Sequence, residues 1–270
     1  MNIIVCIKQV PDTTEVRLDP KTNTLIRDGV PSIINPDDKA GIEAALQIKE
    51  KTGAAVTVVS MGPPQAEKAI REALAMGCDK GVLVSGREFG GADTLATSTT
   101  IAQAVKKLDY DLIIAGRQAI DGDTAQVGPQ IAEHLGLPQI SYAESVEVEE
   151  NKVVVKRQFE DRYHVLEAEM PVLITTLGES FTPRYMTVGG CFDAYREKEV
   201  AVWGYQDLIA DLSEEEAAEF TRNIGLKGSP TRVKKSFVKE AKGAGTILKD
   251  ITADEAVDAI IGKLQEKHLI

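Results

Sequence analysis

The order in which apolar strands and helices follow one another constrains this chain more than any other feature. Ile3 to Val10, Ala54 to Met61, Gly81 to Val84 and Tyr110 to Ala115 read as short apolar strands. Helical segments with their own start and stop signals lie between them. Asn35-Pro36 places an N-cap and a first-turn proline before a helix running through Ile42, Ala45, Leu46 and Ile48 to Gly53. Pro63-Pro64 opens a second helix that ends at Gly77, and Asp93 to Leu108 forms a third, rich in Thr and Ala. This alternation predicts an α/β fold with a doubly wound, mostly parallel, Rossmann-like sheet covered by helices on both faces. Ligands of such sheets bind at the carboxyl ends of the strands, beside the reversal in strand order.

The pattern changes after Gly136. Ser141 to Glu150, Val153 to Phe159 and Tyr163 to Ala168 alternate apolar and polar residues, as added antiparallel strands do. Pro171 to Leu177 is apolar enough for another central strand. From Glu197 the chain is poor in core material, and Gly225 to Gly245 reads as a loop-like arm carrying Lys227, Arg232, Lys234, Lys235, Lys239 and Lys242. Two short β candidates, Glu15 to Leu18 and Thr24 to Arg27, interrupt the first strand–helix connection. Thr252-Ala-Asp-Glu255 is a capping box opening an amphipathic helix to Leu264, which must dock on this chain or on another to bury its apolar face. The expected organisation is an α/β nucleotide-binding domain over 1–196 and a C-terminal wrapping arm and helix over 197–270.

The segment from Leu112 to Gly136 is the most suggestive site. A strand ends at Ala115, small and polar residues follow, and a helix then runs through Val127, Ile131 and Leu135. A helix N-terminus presents unpaired N–H groups and a positive dipole end, which suit a phosphate. The loop holds no Lys, so it is not a Walker-type phosphate loop. A phosphate here would be held by backbone N–H groups, the Thr124 hydroxyl and the Gln126 amide. Asp121 and Asp123 would instead cap the helix or hold a sugar hydroxyl. A capped turn without any ligand fits the same spacing. Gly90-Gly-Ala-Asp-Thr94 is a second small-residue helix start, with Asp93, Thr94 and Thr97 its candidate residues.

Charge and composition narrow the function. The net charge of −11 argues against nucleic acid and anionic membranes as partners. Three scattered cysteines, Cys6, Cys78 and Cys191, suit a reducing compartment and neither a disulfide framework nor a metal site. Met1-Asn2 runs directly into the first strand and no apolar run reaches transmembrane length, so the expectation is a cytoplasmic protein without membrane insertion. His134, His164 and His268 share no acidic or nucleophilic partner at a telling spacing, so no residue is assigned as catalytic. Any chemistry would belong to a cofactor positioned by the chain.

Five motifs occur together in order: Cys6-Ile-Lys-Gln-Val-Pro-Asp12, Asn35-Pro-Asp-Asp-Lys-Ala-Gly-Ile-Glu-Ala-Ala-Leu46, Ala73-Leu-Ala-Met-Gly-Cys-Asp79, Gly116-Arg-Gln-Ala-Ile-Asp-Gly-Asp-Thr-Ala-Gln-Val-Gly128 and Pro183-Arg-Tyr185. With these, the chain resembles the small (beta) subunit of an electron-transfer flavoprotein over essentially its whole length. The resemblance implies an adenine nucleotide at the strand ends: AMP in some members, a second FAD in the bifurcating ones. It places the contacts on Cys6, Asn35, Asp38, Met61 and the stretch Ala119, Asp121, Gly122, Asp123, Thr124, Ala125, Gln126, Val127, Gly128 and Gln130. It also implies a large (alpha) subunit with its own FAD, on which the arm would dock. The stretch Pro183 to Cys191 matches the family's recognition loop for partner dehydrogenases, with Arg184, Tyr185 and the apolar Val188 within it, expected in a mobile loop beside Gly189-Gly190. The Asp121-to-Gly128 loop, the Gly90-to-Thr94 start and Gly225-Leu-Lys-Gly-Ser-Pro230 resemble the bifurcating branch. There NADH delivers electrons to the second FAD, and they pass to ferredoxin or flavodoxin and to an acyl-CoA dehydrogenase. An ATP-binding stress-type relative of similar fold is the alternative. It is disfavoured because Pro138-Gln-Ile-Ser141 stands where that class carries a Gly-Ser.

Overall fold

The computed structural model describes residues 1–12, 31–232, 234, 243 and 245–270. The β candidates at Glu15 to Leu18 and Thr24 to Arg27, and Lys235, Lys239 and Lys242 of the basic arm, lie outside the described residues. The described residues form two compact units, one of 1–12, 31–232 and 234, the other of 243 and 245–270.

The first unit begins with β1 (Asn2–Ile7), interrupted at Lys8 before the short β2 (Gln9–Pro11), which pairs antiparallel with β3 (Ser32–Ile34). α1 (Pro36–Thr52), β4 (Ala55–Met61), α2 (Glu67–Met76), β5 (Lys80–Val84), α3 (Thr94–Val105), β6 (Leu112–Gly116) and α4 (Val127–Leu135) continue the alternation. A 3-10 turn, Pro64–Ala66, intervenes where Pro63-Pro64 suggested the start of α2. Then come β7 (Gln139–Glu149), β8 (Lys152–Gln158), β9 (Tyr163–Glu169), β10 (Val172–Thr176), α5 (Val188–Arg196), β11 (Val200–Trp203), α6 (Tyr205–Ile209), α7 (Glu214–Arg222) and the single turn α8 (Gly225–Gly228).

One nine-stranded sheet carries this unit, in the order β11-β5-β4-β1-β6-β10-β7-β8-β9. Pairing is parallel from β11 to β7 and antiparallel from β7 to β9. β7 is therefore not simply an antiparallel strand. Its first residues pair parallel with β10, Ile140 opposite Ile174, and its later ones turn antiparallel against β8. The register slips at Tyr142, whose φ of 58° is left-handed. Such a bulge lets one long strand serve two pairings.

Alternation along β1 sorts the core. Ile3, Val5 and Ile7 face a cluster shared with α1 and α2, while Ile4 and Cys6 face one shared with α3 and α4. Ile3, Ile4, Ile113 and Ile114 have no exposed surface. Full burial of such a side chain contributes about 1.5–3 kcal/mol, so a polar residue in either central strand would be costly. The chain steps outward from β1 to β4 and β5, then returns to β6 on the other side of β1. The reversal in strand order thus lies between β1 and β6.

The segment after Glu197 is better packed than its composition suggests. β11 extends the parallel sheet beside β5, and Leu208, Phe220 and Ile224 are buried. The first unit accordingly runs well past residue 196. The cause is local: β11 has four residues of which only Val200 is buried, too short a signal to read as a strand. Gly225 has φ +60°, and a side chain there would meet the Glu88 carbonyl oxygen, so the chain passes tightly against the turn after β5. In the second unit α9 (Ala253–Glu266) has its expected capping box: Thr252 Oγ1 accepts from Glu255 N at 3.3 Å and Thr252 N donates to Glu255 Oε2 at 2.8 Å. None of its residues is buried. Among the described residues no helix is long and apolar enough to cross a membrane, and no cluster of three metal-ligand side chains occurs.

Candidate functional site

At the reversal point the ends of β1 and β6 are joined by a carboxylate. Asp38, in the first turn of α1, accepts from Lys8 N at 2.7 Å and from Gly116 N at 3.1 Å. Gly116 is required by this approach, since a Cβ there would lie 2.1 Å from Asp38 Oδ1 and 2.7 Å from Asp38 N. Asp38 is buried, and burial is the largest influence on it, raising its carboxyl from 3.8 to about 7. The charge of Asp37 pushes the same way, while hydrogen bonds from Asn35, Lys8 and Gly116 oppose.

The neighbouring Asp37 bridges two loops. Its Oδ1 accepts from Gly178 N at 3.0 Å, just beyond β10, and its Oδ2 lies 3.4 Å from Gln118 N and 3.2 Å from Arg117 Nε, just beyond β6. Asn35 is the N-cap residue of α1 as expected, but its side chain does not cap. Instead Nδ2 donates to Gln118 O at 2.8 Å, and Oδ1 accepts from Ile120 N at 3.0 Å. The polar residues that open α1 therefore hold the loop after β6 in place, and Asn35 has no exposed surface.

That loop, 117–126, has two non-glycine residues with left-handed backbone, Asp123 at φ 49° and Ala125 at φ 52°. Residues held in such conformations cost of order 1–3 kcal/mol each and cluster at functional sites. The expectation that Asp121 or Asp123 caps the following helix is not met. Asp121 pairs with Lys8 Nζ at 2.6 and 2.9 Å, and Asp123 Oδ1 accepts from Gln118 Nε2 at 3.1 Å. The N-cap of α4 is Gln126, which supplies no side-chain cap; its Oε1 accepts from Thr94 Oγ1 at 2.8 Å. Val127 and Gly128 thus present first-turn N–H groups that the cap residue does not satisfy, and Pro129 has none to satisfy. Gly128 itself packs inward, with a Cβ position 2.8 Å from Thr175 Cγ2, so its small size serves helix–sheet contact.

The second helix start differs. Asp93 caps α3 by accepting from Ala96 N at 3.0 Å, and its other oxygen accepts from Thr231 N and Oγ1 at 3.0 and 2.7 Å. Ser229 Oγ accepts from Asp93 N at 2.8 Å. Burial acts to raise the Asp93 carboxyl, but the hydrogen bonds it accepts from Ala96 and Thr231 outweigh it and hold it below the ordinary value. The N-terminus of α3 is thus capped by the protein's own residues, while that of α4 is not. Thr97 lies one turn into α3, where its N–H donates to Asp93 O at 2.9 Å.

Cys6 is a buried core residue whose thiol burial pushes up to about 12, with the Asp38 charge adding. It is no nucleophile near neutral pH. Met61 packs at the end of β4 beside the same cluster. Lys8, Asp37 and Gln118 were not singled out from sequence. Lys8 is separated from Asp121 by 113 residues, and only the sheet order brings its cation to a loop that has no Lys of its own.

Further along, at Glu43 and Glu50, α1 meets the stretch from Pro183. Tyr185 and Val188 are 96% and 90% exposed, Met186, Phe192 and Tyr195 are also exposed, and Phe181 is buried. Val188 is not in a loop: it is the first residue of α5, which Thr187 caps by accepting from Gly190 N at 2.9 Å. Gly190 lets α5 approach α2, its Cβ position being 2.3 Å from Ala75 O. Arg184 points back into the molecule, onto Glu43.

Known proteins supply the context for these two features. Residues 22–207 match the family model described as the electron transfer flavoprotein domain. The chain is 56% identical over 270 residues to an electron transfer flavoprotein subunit beta of Clostridium acetobutylicum, covering 100% of both chains. It is 52% identical over 272 residues to the caffeyl-CoA reductase-Etf complex subunit CarD of Acetobacterium woodii, again covering 100% of both. It is 48% identical over 275 residues to the acryloyl-CoA reductase electron transfer subunit gamma of Anaerotignum propionicum, covering 100% of both. The family model over residues 22–207 and an identity above half over full length decide against the ATP-binding stress-type alternative, whose fold is similar: the chain belongs to the electron-transfer flavoprotein family, as a small (beta) subunit.

Proposed function

We propose that this small subunit holds FAD at the β1–β6 reversal point and works in a bifurcating complex. The uncapped start of α4, beside a loop held by Asn35 and Asp37, carries this reading. The residues present fit an anionic dinucleotide. Val127 and Gly128 N–H and the exposed Thr124 would meet its phosphates, while Lys8 offsets the charge of Asp121. The side chains of Asn35 and Asp38 are engaged by the protein, so at those positions the nucleotide would meet mainly backbone. When bound, FAD supplies the redox chemistry, accepting electrons from NADH and passing them toward ferredoxin or flavodoxin and an acyl-CoA dehydrogenase. The chain contributes position, burial and hydrogen bonds.

Kinship to subunits named for caffeyl-CoA and acryloyl-CoA reductases supports the acyl-CoA partner. A large (alpha) subunit with its own FAD, assembled in the cytoplasm, completes the complex, and the exposed Val257 and Ile260 of α9 suit burial against it. Extraction of cofactors from the purified heterodimer is expected to yield two FAD per heterodimer and no AMP. One FAD with one AMP would replace this reading with that of a single-flavin carrier.

In the same reading, the exposed face of Tyr185, Met186 and Val188 docks the dehydrogenase. Exposed apolar residues on a fixed scaffold suit a transient anchor. Val188→Ala is expected to raise the KM for the dehydrogenase about fivefold, the effect of losing roughly 1 kcal/mol of contact. The flavin spectrum should stay unchanged. An altered spectrum with normal transfer would count against the assignment.

A further inference from the structure

We propose that Arg184 is a positioning residue: clamped to Glu43 and Glu50 of α1, it aims the Tyr185–Val188 face at the dehydrogenase without touching it. The proposal rests on the reading of that face as the docking surface.

The geometry is that of a fork closed on a carboxylate. Arg184 Nε donates to Glu43 Oε2 at 2.8 Å, and Nη2 donates to Glu43 Oε1 at 2.9 Å. Arg184 N donates to the same Oε2 at 3.1 Å, so backbone and side chain are tied together. Nη1 donates to Glu50 Oε1 at 2.5 Å, two turns further along α1. Glu43 is 5% exposed and also accepts from Gln47 Nε2 at 3.1 Å. Burial acts to raise the Glu43 carboxyl, but the hydrogen bonds from Arg184 and Gln47 prevail and hold it below the ordinary range. Two parallel charge-assisted bonds fix orientation as well as distance, which a lysine could not do.

The neighbouring elements show what is being held. Upstream, Phe181 is buried in the core. Downstream, α5 is locked on α2: Arg71 Nη1 donates to Ala194 O and Lys198 O at 2.5 and 2.9 Å, and Lys198 Nζ donates to Leu74 O and Cys78 O at 3.1 and 2.6 Å. Between these anchors Tyr185 is 96% exposed, and the bonds of Arg184 tie the stretch 183–187 to α1. Release would leave the face chemically intact but disordered, and ordering it would then be charged to docking.

The test uses the intact heterodimer and its acyl-CoA dehydrogenase. Arg184→Gln is expected to raise the KM for the dehydrogenase about tenfold through loss of preorganisation, with kcat within about twofold and cofactor content unchanged. Glu43→Gln should raise KM comparably, although Glu43 is buried away from any partner, and the double variant should be no worse than either single one. Arg184→Lys should fall between wild type and Arg184→Gln. Glu50 is exposed enough to be changed without risk to folding, and Glu50→Gln should raise KM about threefold. A KM that rises in Arg184→Gln but not in Glu43→Gln or Glu50→Gln would overturn the proposal and make Arg184 a direct contact. Unchanged KM in all of them would overturn it as well. If Val188→Ala also leaves KM unchanged, it is the docking surface itself that has been misassigned.

Discussion

Gly116→Ala is expected to lower the melting temperature of the complex by roughly 10 °C and to strip it of nucleotide. The added Cβ would lie 2.1 Å from Asp38 Oδ1, 2.7 Å from Asp38 N and 2.8 Å from the carbonyl carbon of Asp37. Two of those atoms are backbone of the first turn of α1, so no rotamer change relieves the clash. Either α1 moves off the sheet or β6 bends, and both separate Gly116 N from Asp38. Overpacking costs about 1–3 kcal/mol, and an unpaired buried polar group adds about 1–3 kcal/mol. A total near 4 kcal/mol corresponds to a shift of roughly 10 °C in a domain of this size. The same movement displaces Asn35 and Asp37, which hold the loop after β6. Gly189→Ala is the control, because a Cβ there meets nothing within 4 Å and the residue lies in α5, outside the nucleotide loop. Thermal melts and nucleotide content of the two variants decide it, and equal behaviour would sink the idea.

How far the sequence led can be judged residue by residue. The parallel sheet, the order of helices and the loop after β6 were all legible, because apolar strands, glycines and helical spacing are local signals. The interactions that make the loop a site were not. Lys8 meets Asp121 across 113 residues, and Asp37 meets Gly178 across 141. Nothing in local spacing encodes either pair; they follow from β1, β6 and β10 being neighbours in the sheet. The two helix starts illustrate the same limit. Both Gly90 to Thr94 and Gly122 to Val127 look like anion sites in sequence. Only the fold brings Ser229 and Thr231 onto Asp93 and leaves Gln126 without a capping role. Asn35 was readable as a helix N-cap by position, yet its amide serves the loop, a use that no helix rule contains.

Asp38 makes the stability of this fold pH-dependent in an unusual direction. Its carboxyl is raised from 3.8 to about 7, chiefly by burial. In the unfolded chain it loses its proton near pH 4, whereas in the folded chain it keeps it to about 7. Folding therefore takes up a proton in that window. The stabilisation is fully present below the unfolded value and is lost as pH rises through the folded one. The gap corresponds to roughly 4 kcal/mol. Glu43 and Asp93, held below their ordinary values, titrate at lower pH and leave the upper part of the window clear. His134 is lowered from its ordinary 6.5 by burial and by Lys106, so its contribution has the opposite sign and partly masks the trend in the wild type. Comparison with Asp38→Asn removes that masking, because His134 is common to both proteins. The introduced amide would turn its NH2 toward one of the two backbone donors, Lys8 N or Gly116 N, and the variant should be less stable throughout. Its deficit should be largest at pH 5, where wild-type Asp38 is neutral yet still accepts both hydrogen bonds. The deficit should shrink steadily toward pH 8 as wild-type Asp38 ionises in a buried site. Denaturant melts of the two heterodimers at half-unit steps from pH 5 to 8 measure this directly. Parallel profiles would mean that Asp38 is already ionised across the range, and that the carboxylate joining β1 to β6 carries its charge in the folded protein at every pH tested.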